Sequence, residues 1–478
     1  MAFFGRTEEL ENLQRLANTP LAVATITGRR RIGKSRLVEE YARREKRKLI
    51  KIEGRDNAEG GDEAQLTAFA DDLMRHTGLS GFSFRSWNAA FNALGDAAAG
   101  KKWIVLLDEI TWLARQSGGS CLAELKVFID RHINGSANRL IVCGSVSQWI
   151  EQYVNQSDLF VGRISRKIHL QPLPLKDCAR FWSGREVSAR EILKTLCVTG
   201  GVPRYLEEID VRESAESNIQ NLCFDSSGYM VQELPNLIKS SLLNARREAT
   251  LERYLAILGA LAEHGKTPNE IARAIGADNN ENLKNNLEAL KLSGFVSENP
   301  SWNLASTHLQ KRNLHYRIED PYTRFYVKYI QSHLNEIDKG LYRNKTLQQL
   351  PGWQTIRGLQ FQSLVNQNMI PYITDRLGLA GVPVLRAGPY FQTQTAQRRA
   401  VQIDYLLQTE DALFLCETKF RRRIDAGVID EVKDKIGRLE APPGATLRKV
   451  LLYSGERAKA LESSIYFDRQ ICIDELLR

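Results

Sequence analysis

The sequence predicts an α/β protein made of several domains. Its 478 residues are several times the length of one ordinary domain, which indicates about three or four modules. In the first half, three apolar runs of strand length lie among helical segments, a pattern typical of a parallel sheet with flanking helices. The chain closes with a helix followed by two more apolar runs, which predicts a second α/β domain.

The composition indicates a folded, soluble protein. Hydrophobic residues make up 43% and charged residues 26% of the chain, and no low-complexity tract interrupts it. The N-terminus lacks the basic start and apolar core of a secretion signal, and no apolar run approaches the roughly 18 residues of a membrane span. We therefore expect a cytoplasmic protein with no membrane partner.

The net charge and the cysteine content give only weak information about binding partners and metal sites. The formal net charge is +9, which suits a nucleic acid or another polyanionic partner and equally suits simple solubility. The seven cysteines stand far apart, with no C-x-x-C pair and no clustered histidines. We expect reduced thiols that fill the core, and no zinc site.

The first strong motif is a glycine-bounded loop between a strand and a helix. The segment "GRRRIGKS" runs from Gly28 to Ser35 and fits the phosphate-binding pattern G-x-x-x-x-G-K-S. Its glycines let backbone N–H groups turn toward a phosphate, and the helix N-terminus adds partial positive charge. Lys34 is predicted to reach the β- and γ-phosphates of ATP, and the Ser35 hydroxyl to ligate Mg²⁺. The predicted nucleotide-binding residues of this segment are Gly28, Arg31, Gly33, Lys34, Ser35 and Arg36.

A buried strand that ends in two acids supplies the expected second half of this site. In "KKWIVLLDEITWL", five apolar residues from Trp103 to Leu107 lead directly into Asp108 and Glu109. Asp108 is predicted to hold the magnesium shell, and Glu109 to polarise the water that attacks the γ-phosphate. The alternative, in which the two acids only cap the next helix, is weakened by the phosphate loop upstream.

Further positions are candidate sensors of the bound nucleotide. The apolar strand in "RLIVCGSVSQWI" ends at Ser145, whose hydroxyl could contact the γ-phosphate. Arg163 in "LFVGRISRKIHLQPL" and Arg204 in "GGVPRYLEEID" follow. An arginine near a γ-phosphate stabilises transition-state charge, whether it comes from the same subunit or from a neighbour. Most arginines, however, only form surface contacts.

These segments occur together in a characteristic order. "FFGRTEELENLQRL", "GRRRIGKS", "IVLLDEI", "IVCGS", "GRISRKIHLQPL" and "GGVPRYL" resemble the motifs of a prokaryotic ATPase family allied to the AAA-type and STAND P-loop NTPases. The resemblance implies an ATPase core over 1–165 and a helical lid over 166–245. It also implies that Pro203 lies in the lid near the base, and that Arg163 is the sensing arginine. If Arg163 acts on the nucleotide bound to a neighbouring subunit, the protein must form a homo-oligomer.

The middle of the chain predicts three helices and a β wing over 246–310. "LERYLAILGALAEHG" has the apolar face of a helix that Gly265 stops, and "TPNEIARAIG" begins with Thr267 and Glu270 as a capping box. The third helix, about 280–292, has no net charge and so gives little phosphate attraction. The segment resembles a winged helix-turn-helix, which in STAND-like ATPases relays nucleotide state. Base reading by its asparagines is the alternative.

The next segment, 311–345, is interpreted as a linker with an aromatic-rich helix. Its aromatic rings could stack on the bases of a nucleic acid. Helical spacing of aromatic residues is nevertheless more typical of core packing, which we favour here. The residues concerned are Tyr316, Tyr322, Phe325, Tyr326 and Tyr329.

The last module, 346–478, places charged residues on an apolar strand. "VQIDYLLQ" and "ALFLCETKF" flank the polar turn "TED" and predict a hairpin. A two-residue loop sets Asp404 opposite Glu417 and Gln402 opposite Lys419, all on one face. Opposed carboxylates lie about 5 Å apart at Cβ and repel, which is tolerated where a metal ion lies between them. Asp404 and Glu417 are therefore predicted to chelate Mg²⁺ or Mn²⁺, and Lys419 to steady the attacking water or the phosphorane charge.

The pattern D-x(12)-E-x-K on a hairpin resembles the PD-(D/E)xK nucleases, and the module resembles the restriction-endonuclease-like domain attached to the same ATPase family. The resemblance implies another acid on the preceding helix, where "GLQFQ" has Gln362. Gln362 is predicted to offer its carbonyl oxygen to the metal or to a metal-bound water. The alternative is a Glu417–Lys419 ion pair in a domain that keeps the fold without the chemistry. Nearby arginines that could follow a phosphate backbone are Arg398, Arg399, Arg421, Arg422 and Arg423.

The leading hypothesis is an ATP-binding and ATP-hydrolysing protein whose nucleotide state controls a metal-dependent nuclease-like domain acting on DNA. The alternative is a STAND-like nucleotide switch or scaffold that binds nucleic acid or protein without cleaving. A transcription regulator that reads DNA with the winged helix is a third hypothesis, and the uncharged third helix argues against it.

Overall fold

The chain folds into two compact units. The computed structural model describes residues 3–56, 60–115, 117–145, 147–242, 245, 247–302, 304, 309–343, 345–394, 396 and 399–478. The first unit contains residues 1–172 and 237–246, and the second contains residues 173–236 and 247–478. Within these described ranges, no helix is long and apolar enough to cross a membrane.

The first unit is built on a parallel sheet. Its strands lie in the order β2-β3-β4-β1-β5 and are β1 Val23–Thr27, β2 Leu49–Glu53, β3 Ile104–Asp108, β4 Arg139–Cys143 and β5 Arg166–His169. All described pairings in this sheet are parallel. β1, β3 and β4 are buried along their whole length, as continuous apolar runs predict for a sheet covered on both faces. The α/β class predicted for the first half is confirmed.

Helices connect these strands, because parallel strands need a crossover between them. α1 Thr7–Gln14 precedes β1. The connecting helices are α2 Lys34–Arg44, α3 Gly61–Thr77, α4 Trp87–Ala98, α5 Ile110–Ala114, α6 Ser120–Phe128 and α7 Ser147–Ile150. The strand predicted from Trp103 begins one residue later and includes Asp108. Since α2 follows the end of β1 by way of the glycine loop, the phosphate-binding motif lies at the carboxyl edge of the sheet, where α/β proteins bind ligands.

The second unit begins with helices that the sequence assigned to a lid. They are α8 Leu175–Cys178, α9 Ala189–Thr199, α10 Pro203–Glu207 and α11 Ala215–Cys223, followed by α12 Glu233–Ser241, which contains residues of both units. Leu193 of α9 belongs to the same buried apolar core as Phe361 in the C-terminal part of the chain. The Asn368 side chain also accepts a hydrogen bond from the Leu175 N–H at 3.0 Å. These helices therefore stabilise the C-terminal domain.

Three helices and a two-stranded antiparallel sheet follow, in the order predicted from the sequence. They are α13 Glu248–Ala260, α14 Pro268–Ala274, α15 Glu281–Leu292, β6 Val296–Trp302 and β7 Leu309–Ile318. The predicted capping box is confirmed, because the Thr267 hydroxyl accepts from the Glu270 N–H while the Glu270 carboxylate accepts from the Thr267 N–H at 2.8 Å. The third helix, predicted at about 280–292, is α15, and the Asn280 side chain caps its start.

Two expectations for this region were wrong. The first helix ends at Ala260 rather than Gly265, because the backbone of Lys266 pairs with Tyr316 and the chain must leave the helix before that pair. For the same reason, the start of the aromatic segment is strand, and its helix, α16 Pro321–Phe325, begins later. The core interpretation of the aromatics is confirmed, since all are buried: Tyr316, Tyr322, Phe325, Tyr326 and Tyr329.

A mixed sheet forms the centre of the C-terminal domain. Its strands lie in the order β12-β11-β10-β9-β8 and are β8 Arg386–Gln392, β9 Val401–Gln408, β10 Ala412–Ile424, β11 Thr446–Arg457 and β12 Arg469–Cys472. The β8, β9 and β10 strands pair antiparallel, whereas β10, β11 and β12 pair parallel. The helices of this part are α17 Leu334–Asp338, α18 Trp353–Asn368, α19 Gly427–Arg438 and α20 Lys459–Glu462.

The β9–β10 hairpin has the register predicted from its two-residue loop. Cys416 pairs with Tyr405 in that register. Among the described pairs, the ladder of backbone hydrogen bonds ends there, one residue before Asp404 and Glu417. Beyond this point the Asp404 carboxylate accepts the hydrogen bond from the Thr418 N–H at 2.9 Å. A side chain thus continues the pairing where the backbone ladder stops.

Candidate functional sites

The phosphate-binding loop has the backbone that its glycines predict. Gly28 has φ 140° and Gly33 has φ 93°, conformations that side chains disfavour. A Cβ on Gly28 would lie 2.8 Å from the carbonyl oxygen of Leu170, so a larger residue could not fit there. Arg31, with φ 74°, is exposed within the loop, and Arg36 lies in the first turn of α2.

Lys34 and Ser35 are positioned by the start of α2. The buried Lys34 ammonium donates to the carbonyl oxygens of Gly28 at 3.0 Å and Arg29 at 3.2 Å. The Ser35 hydroxyl donates to Asp108 Oδ2 at 2.5 Å. A hydroxyl and a carboxylate oxygen this close match the oxygen ligands that Mg²⁺ prefers. Ser35 and Asp108 would therefore hold the ion, and Lys34 would hold phosphate.

A lysine that sequence reasoning missed lies against Asp108. Lys51 on β2 places its Nζ 3.1 Å from Asp108 Oδ2 and 3.0 Å from Glu53 Oε2. Burial lowers the pKa of Lys51, but the Asp108 and Glu53 carboxylates outweigh it and raise that pKa above its ordinary value. No local signal marks Lys51, because its contact with Asp108 depends on the pairing of β2 with β3.

Glu109 and Ser145, predicted separately, meet in the structure. Glu109 Oε2 accepts hydrogen bonds from the Ser145 N–H at 3.1 Å and from its hydroxyl at 2.8 Å. Glu109 itself has φ 52°, an uncommon conformation for a residue with a side chain. The two hydrogen bonds fix the direction of the carboxylate, which a residue that orients attacking water requires.

Arg163 and Pro203 were also predicted to act at the nucleotide site. Arg163 makes a two-pronged ion pair with Asp130, at 2.8 and 2.9 Å. Pro203 is the first residue of α10 and belongs to the second unit. Neither arrangement assigns a contact with phosphate to these residues, so their roles stay predictions.

Together these features define a P-loop ATPase domain. They are a glycine loop with its lysine, a hydroxyl beside an acid, and a second oriented acid, all at the edge of a parallel sheet. Residues 3–209 match the model of a family described as an ATPase domain predominantly from Archaea.

The chain is also similar to individual proteins. An uncharacterized protein of Methanocaldococcus jannaschii is 25% identical over 348 residues, which are 71% of this chain and 71% of that protein. A solved structure of a Walker-type ATPase from Pyrococcus abyssi is 21% identical, with a TM-score of 0.49, over 68% of this chain and 96% of the other. The ORC2 protein of Aeropyrum pernix, solved in complexes with ADPNP and ADP, is 16% identical, with a TM-score of 0.40, over 70% and 94%.

The second candidate site is a cavity of about 540 Å³ in the C-terminal domain. It lies at the end of the β9–β10 hairpin, between α18 and α19. The predicted residues Asp404, Glu417, Lys419 and Gln362 all line it. Elements distant in sequence therefore bring the four predicted side chains together.

The two carboxylates have different surroundings. Asp404 Oδ2 accepts hydrogen bonds from the Thr418 N–H at 2.9 Å and its hydroxyl at 2.7 Å. Burial raises the pKa of Asp404, but Lys435 and the Thr418 hydrogen bonds outweigh it and hold that pKa below its ordinary value. Glu417 is only 2% exposed, and burial together with the charge of Asp404 raises its pKa despite two nearby lysines.

Each oxygen of Glu417 contacts an ammonium group. Lys419 Nζ lies 2.8 Å from Oε1 and also contacts Glu431 at 2.6 Å. Lys435 Nζ, on α19, lies 2.6 Å from Oε2 of Glu417 and 3.6 Å from Oδ1 of Asp404. Sequence reasoning missed Lys435, because only the packing of α19 beside the hairpin brings it to the site.

An ammonium group that contacts both carboxylates marks a position where positive charge is stabilised. Asp404 and Glu417 oxygens converge there, and a pair of carboxylates is a donor set that Mg²⁺ and Mn²⁺ accept. The two acids therefore fit the predicted divalent cation, at the position that the Lys435 Nζ occupies.

Both polar groups of the Gln362 side chain already have partners within the protein. Its side-chain N–H donates to the carbonyl oxygen of Asp404 at 3.0 Å, and its Oε1 accepts from the buried Arg317 at 3.0 Å. Because Arg317 of β7 donates to this oxygen, a metal-binding role for Gln362 stays a prediction. A glutamine suits the bridge, since it donates on one side and accepts on the other.

One of the predicted arginines lines the site. Arg421, which lines the cavity, and the neighbouring Arg422 and Arg423 are exposed, as is Arg399. Arg398 lies outside the described residues. The exposed arginines are placed where the phosphates of a polyanion could contact them.

Proposed function

We propose that the chain hydrolyses ATP in its first domain and that the nucleotide state controls a metal-dependent nuclease-like domain acting on DNA. The observation that carries the proposal is the convergence of Asp404, Glu417 and Lys419 in one cavity. The P-loop ATPase domain supplies the nucleotide-dependent half.

In the ATPase half, residues of this chain bind the nucleotide and its Mg²⁺ and orient the attacking water. Lys34 would exchange the carbonyl oxygens it contacts for phosphate oxygens, while Ser35 and Asp108 would hold the Mg²⁺. Glu109, fixed by Ser145, would direct the attacking water and accept its proton at a carboxylate oxygen. When bound, Mg²⁺ supplies neutralisation of the charge on the β- and γ-phosphates.

In the nuclease-like half, Asp404 and Glu417 would hold Mg²⁺ or Mn²⁺, which when bound supplies Lewis-acid stabilisation of the scissile phosphate. Lys419, whose Nζ contacts Glu417 at 2.8 Å, would orient water or compensate charge that develops at phosphorus. DNA is the favoured partner, supported by the net charge of +9 and by the exposed Arg421 that lines the cavity.

A path for control lies inside the second unit. Arg317 stands on β7, the second strand of the proposed wing, and hydrogen-bonds Gln362, which in turn donates to the backbone of Asp404. A shift of the proposed winged helix would therefore move a group that fixes Asp404. This favours a relay role for that module over base reading, as does the uncharged third helix.

The test is cleavage of a mixed panel of labelled DNA and RNA with Mg²⁺ or Mn²⁺, with and without ATP. Wild type is compared with Asp404→Ala and Glu417→Ala, and with Lys433→Ala on the exposed side of α19 as a control. The proposal expects cleavage by wild type and the control, loss in both acid variants, and unchanged ATP hydrolysis in all. No cleavage by wild type under any of these conditions, with ATP still hydrolysed, would contradict it.

One observation favours a second function. Lys419 and Lys435 already compensate both carboxylates, and Arg317 engages the oxygen of Gln362. A STAND-like switch or scaffold whose C-terminal domain binds nucleic acid or protein without cleaving would need no more than this ion-pair network. ATP-dependent binding of the labelled panel without cleavage would support this second function.

A further inference from the structure

The position between the two carboxylates is held by a side chain of the protein itself. The geometry points to Lys435 as a built-in competitor for the divalent cation, one that the ion must displace before the site is complete. The inference rests on the proposed metal-dependent function and concerns how that site is loaded.

The contacts of Lys435 are those expected of a cation between two ligands. Its Nζ lies 2.6 Å from Glu417 Oε2 and 3.6 Å from Asp404 Oδ1. Lys419 differs, because it spans Glu417 and Glu431 and does not reach Asp404 among the described contacts. Lys419 can therefore stay in place when a metal binds, whereas Lys435 cannot.

The charge of the cavity points the same way. Three carboxylates, those of Asp404, Glu417 and Glu431, face two ammonium groups. A divalent cation added beside both lysines would leave excess positive charge in a largely buried cluster, which is unfavourable. Removal of one ammonium group restores the balance, so binding of the ion and departure of Lys435 are coupled.

The structure provides space for the displaced side chain. Lys435 also lines an adjoining cavity of about 650 Å³, together with Gln402, Asp434 and Arg438. The side chain is long and flexible, and it is 23% exposed. Rotation of Lys435 into that cavity would keep its charge hydrated and near the path of a bound phosphate.

The experiment measures Mn²⁺ binding to the full chain without nucleotide, by electron paramagnetic resonance of the free ion. An Asp108→Asn background removes the cation site of the ATPase domain. Lys435→Met should bind Mn²⁺ at least about tenfold more tightly than the background protein, because the competing state is removed. Lys433→Met, exposed on the same helix, should bind like the background protein, and adding Asp404→Asn to Lys435→Met should abolish the tight binding.

Lys435→Gln and the thermal shift on adding Mn²⁺ provide a second measurement if Lys435→Met folds poorly. Carboxylate-dependent Mn²⁺ binding that is equal or weaker in both Lys435 variants overturns the inference and leaves the proposed nuclease function standing. Absence of carboxylate-dependent binding in every variant overturns both. Binding only after Lys435 is replaced supports the inference and identifies Lys435 as the block in the wild-type chain.

Discussion

The nucleotide loop and the carboxylate cavity differ in how their charges are satisfied. In the loop, Lys34 donates to carbonyl oxygens of its own segment, so an arriving phosphate replaces neutral partners. In the cavity, each oxygen of Glu417 contacts an ammonium group, so an arriving cation must replace a charged one. The first site is ready for its ligand, whereas the second must give up an ion pair first.

The largest expected effect belongs to Lys34. Lys34→Ala removes the side-chain charge predicted to hold the β- and γ-phosphates, and ATP hydrolysis should fall by about a hundredfold or more. Phosphate release measured at saturating ATP checks this. Lys102→Ala, exposed before β3, is the matched control and should hydrolyse ATP like wild type. Equal hydrolysis by Lys34→Ala and wild type would remove the basis for assigning the loop.

The same variant also sharpens the comparison between the sites. Because the carboxylate cavity is charge-compensated within the second unit, its Mn²⁺ affinity without nucleotide should not change in Lys34→Ala. A changed affinity would mean that the two sites are coupled even when no nucleotide is bound.

The second expected effect is on stability. Glu417→Ala leaves the Lys435 ammonium, 2.6 Å from the deleted carboxylate, largely buried without that partner, and should lower the free energy of unfolding by about 3 kcal/mol. Asp430→Ala breaks the exposed pair with Lys433 at 3.3 Å and should change it little. Urea unfolding followed by tryptophan fluorescence compares them. Equal effects of the two substitutions would show that the cavity network is no stronger than a surface pair.

A smaller effect is expected at Gln362. Gln362→Glu removes the donor to the Asp404 carbonyl oxygen and adds a negative charge, so we expect a loss of about 1–2 kcal/mol in stability and no gain in Mn²⁺ affinity. If the side chain of residue 362 were a metal ligand, the added charge would tighten Mn²⁺ binding instead. Gln348→Glu, at an exposed position, controls for the added charge.

The nucleotide loop and the carboxylate cavity also differ in how much of each could be predicted from the sequence. The nucleotide loop is contiguous from Gly28 to Ser35, and Asp108 ends an uninterrupted apolar strand, so both motifs are visible locally. The hairpin register follows from its short loop, which placed Asp404 beside Glu417. Lys51, Lys435 and Arg317 were missed, because strand pairing or helix packing brings each of them to its site from a distant segment. Strands β8, β11 and β12 were missed too, since their polar and apolar residues give a weaker pattern than the hairpin.

The smallest expected effect is in the pH dependence of stability. The pKa of Asp404 lies below its ordinary value of 3.8, so its stabilising contribution is present above that pH and is lost as the pH falls through the lower value in the folded state. The pKa of Glu417 is raised above 4.5, so its contribution is present at low pH and is lost as the pH rises through the raised value. Asp404→Asn should therefore flatten the loss of thermal stability as the pH falls below 3.8, and Glu417→Gln should steepen the loss as the pH falls toward 4.5.

The Asp404→Asn and Glu417→Gln substitutions are expected to change the pH dependence of stability in opposite directions. This difference in direction is what the last measurement tests. Asp430→Asn, at an exposed position, should leave the fall of the melting temperature at acid pH unchanged, because an exposed ion pair contributes little to stability. If Asp404→Asn and Glu417→Gln changed the pH dependence of the melting temperature in the same direction, the two carboxylates would share one environment. The distinction between a hydrogen-bonded Asp404 and a desolvated Glu417 would then fail.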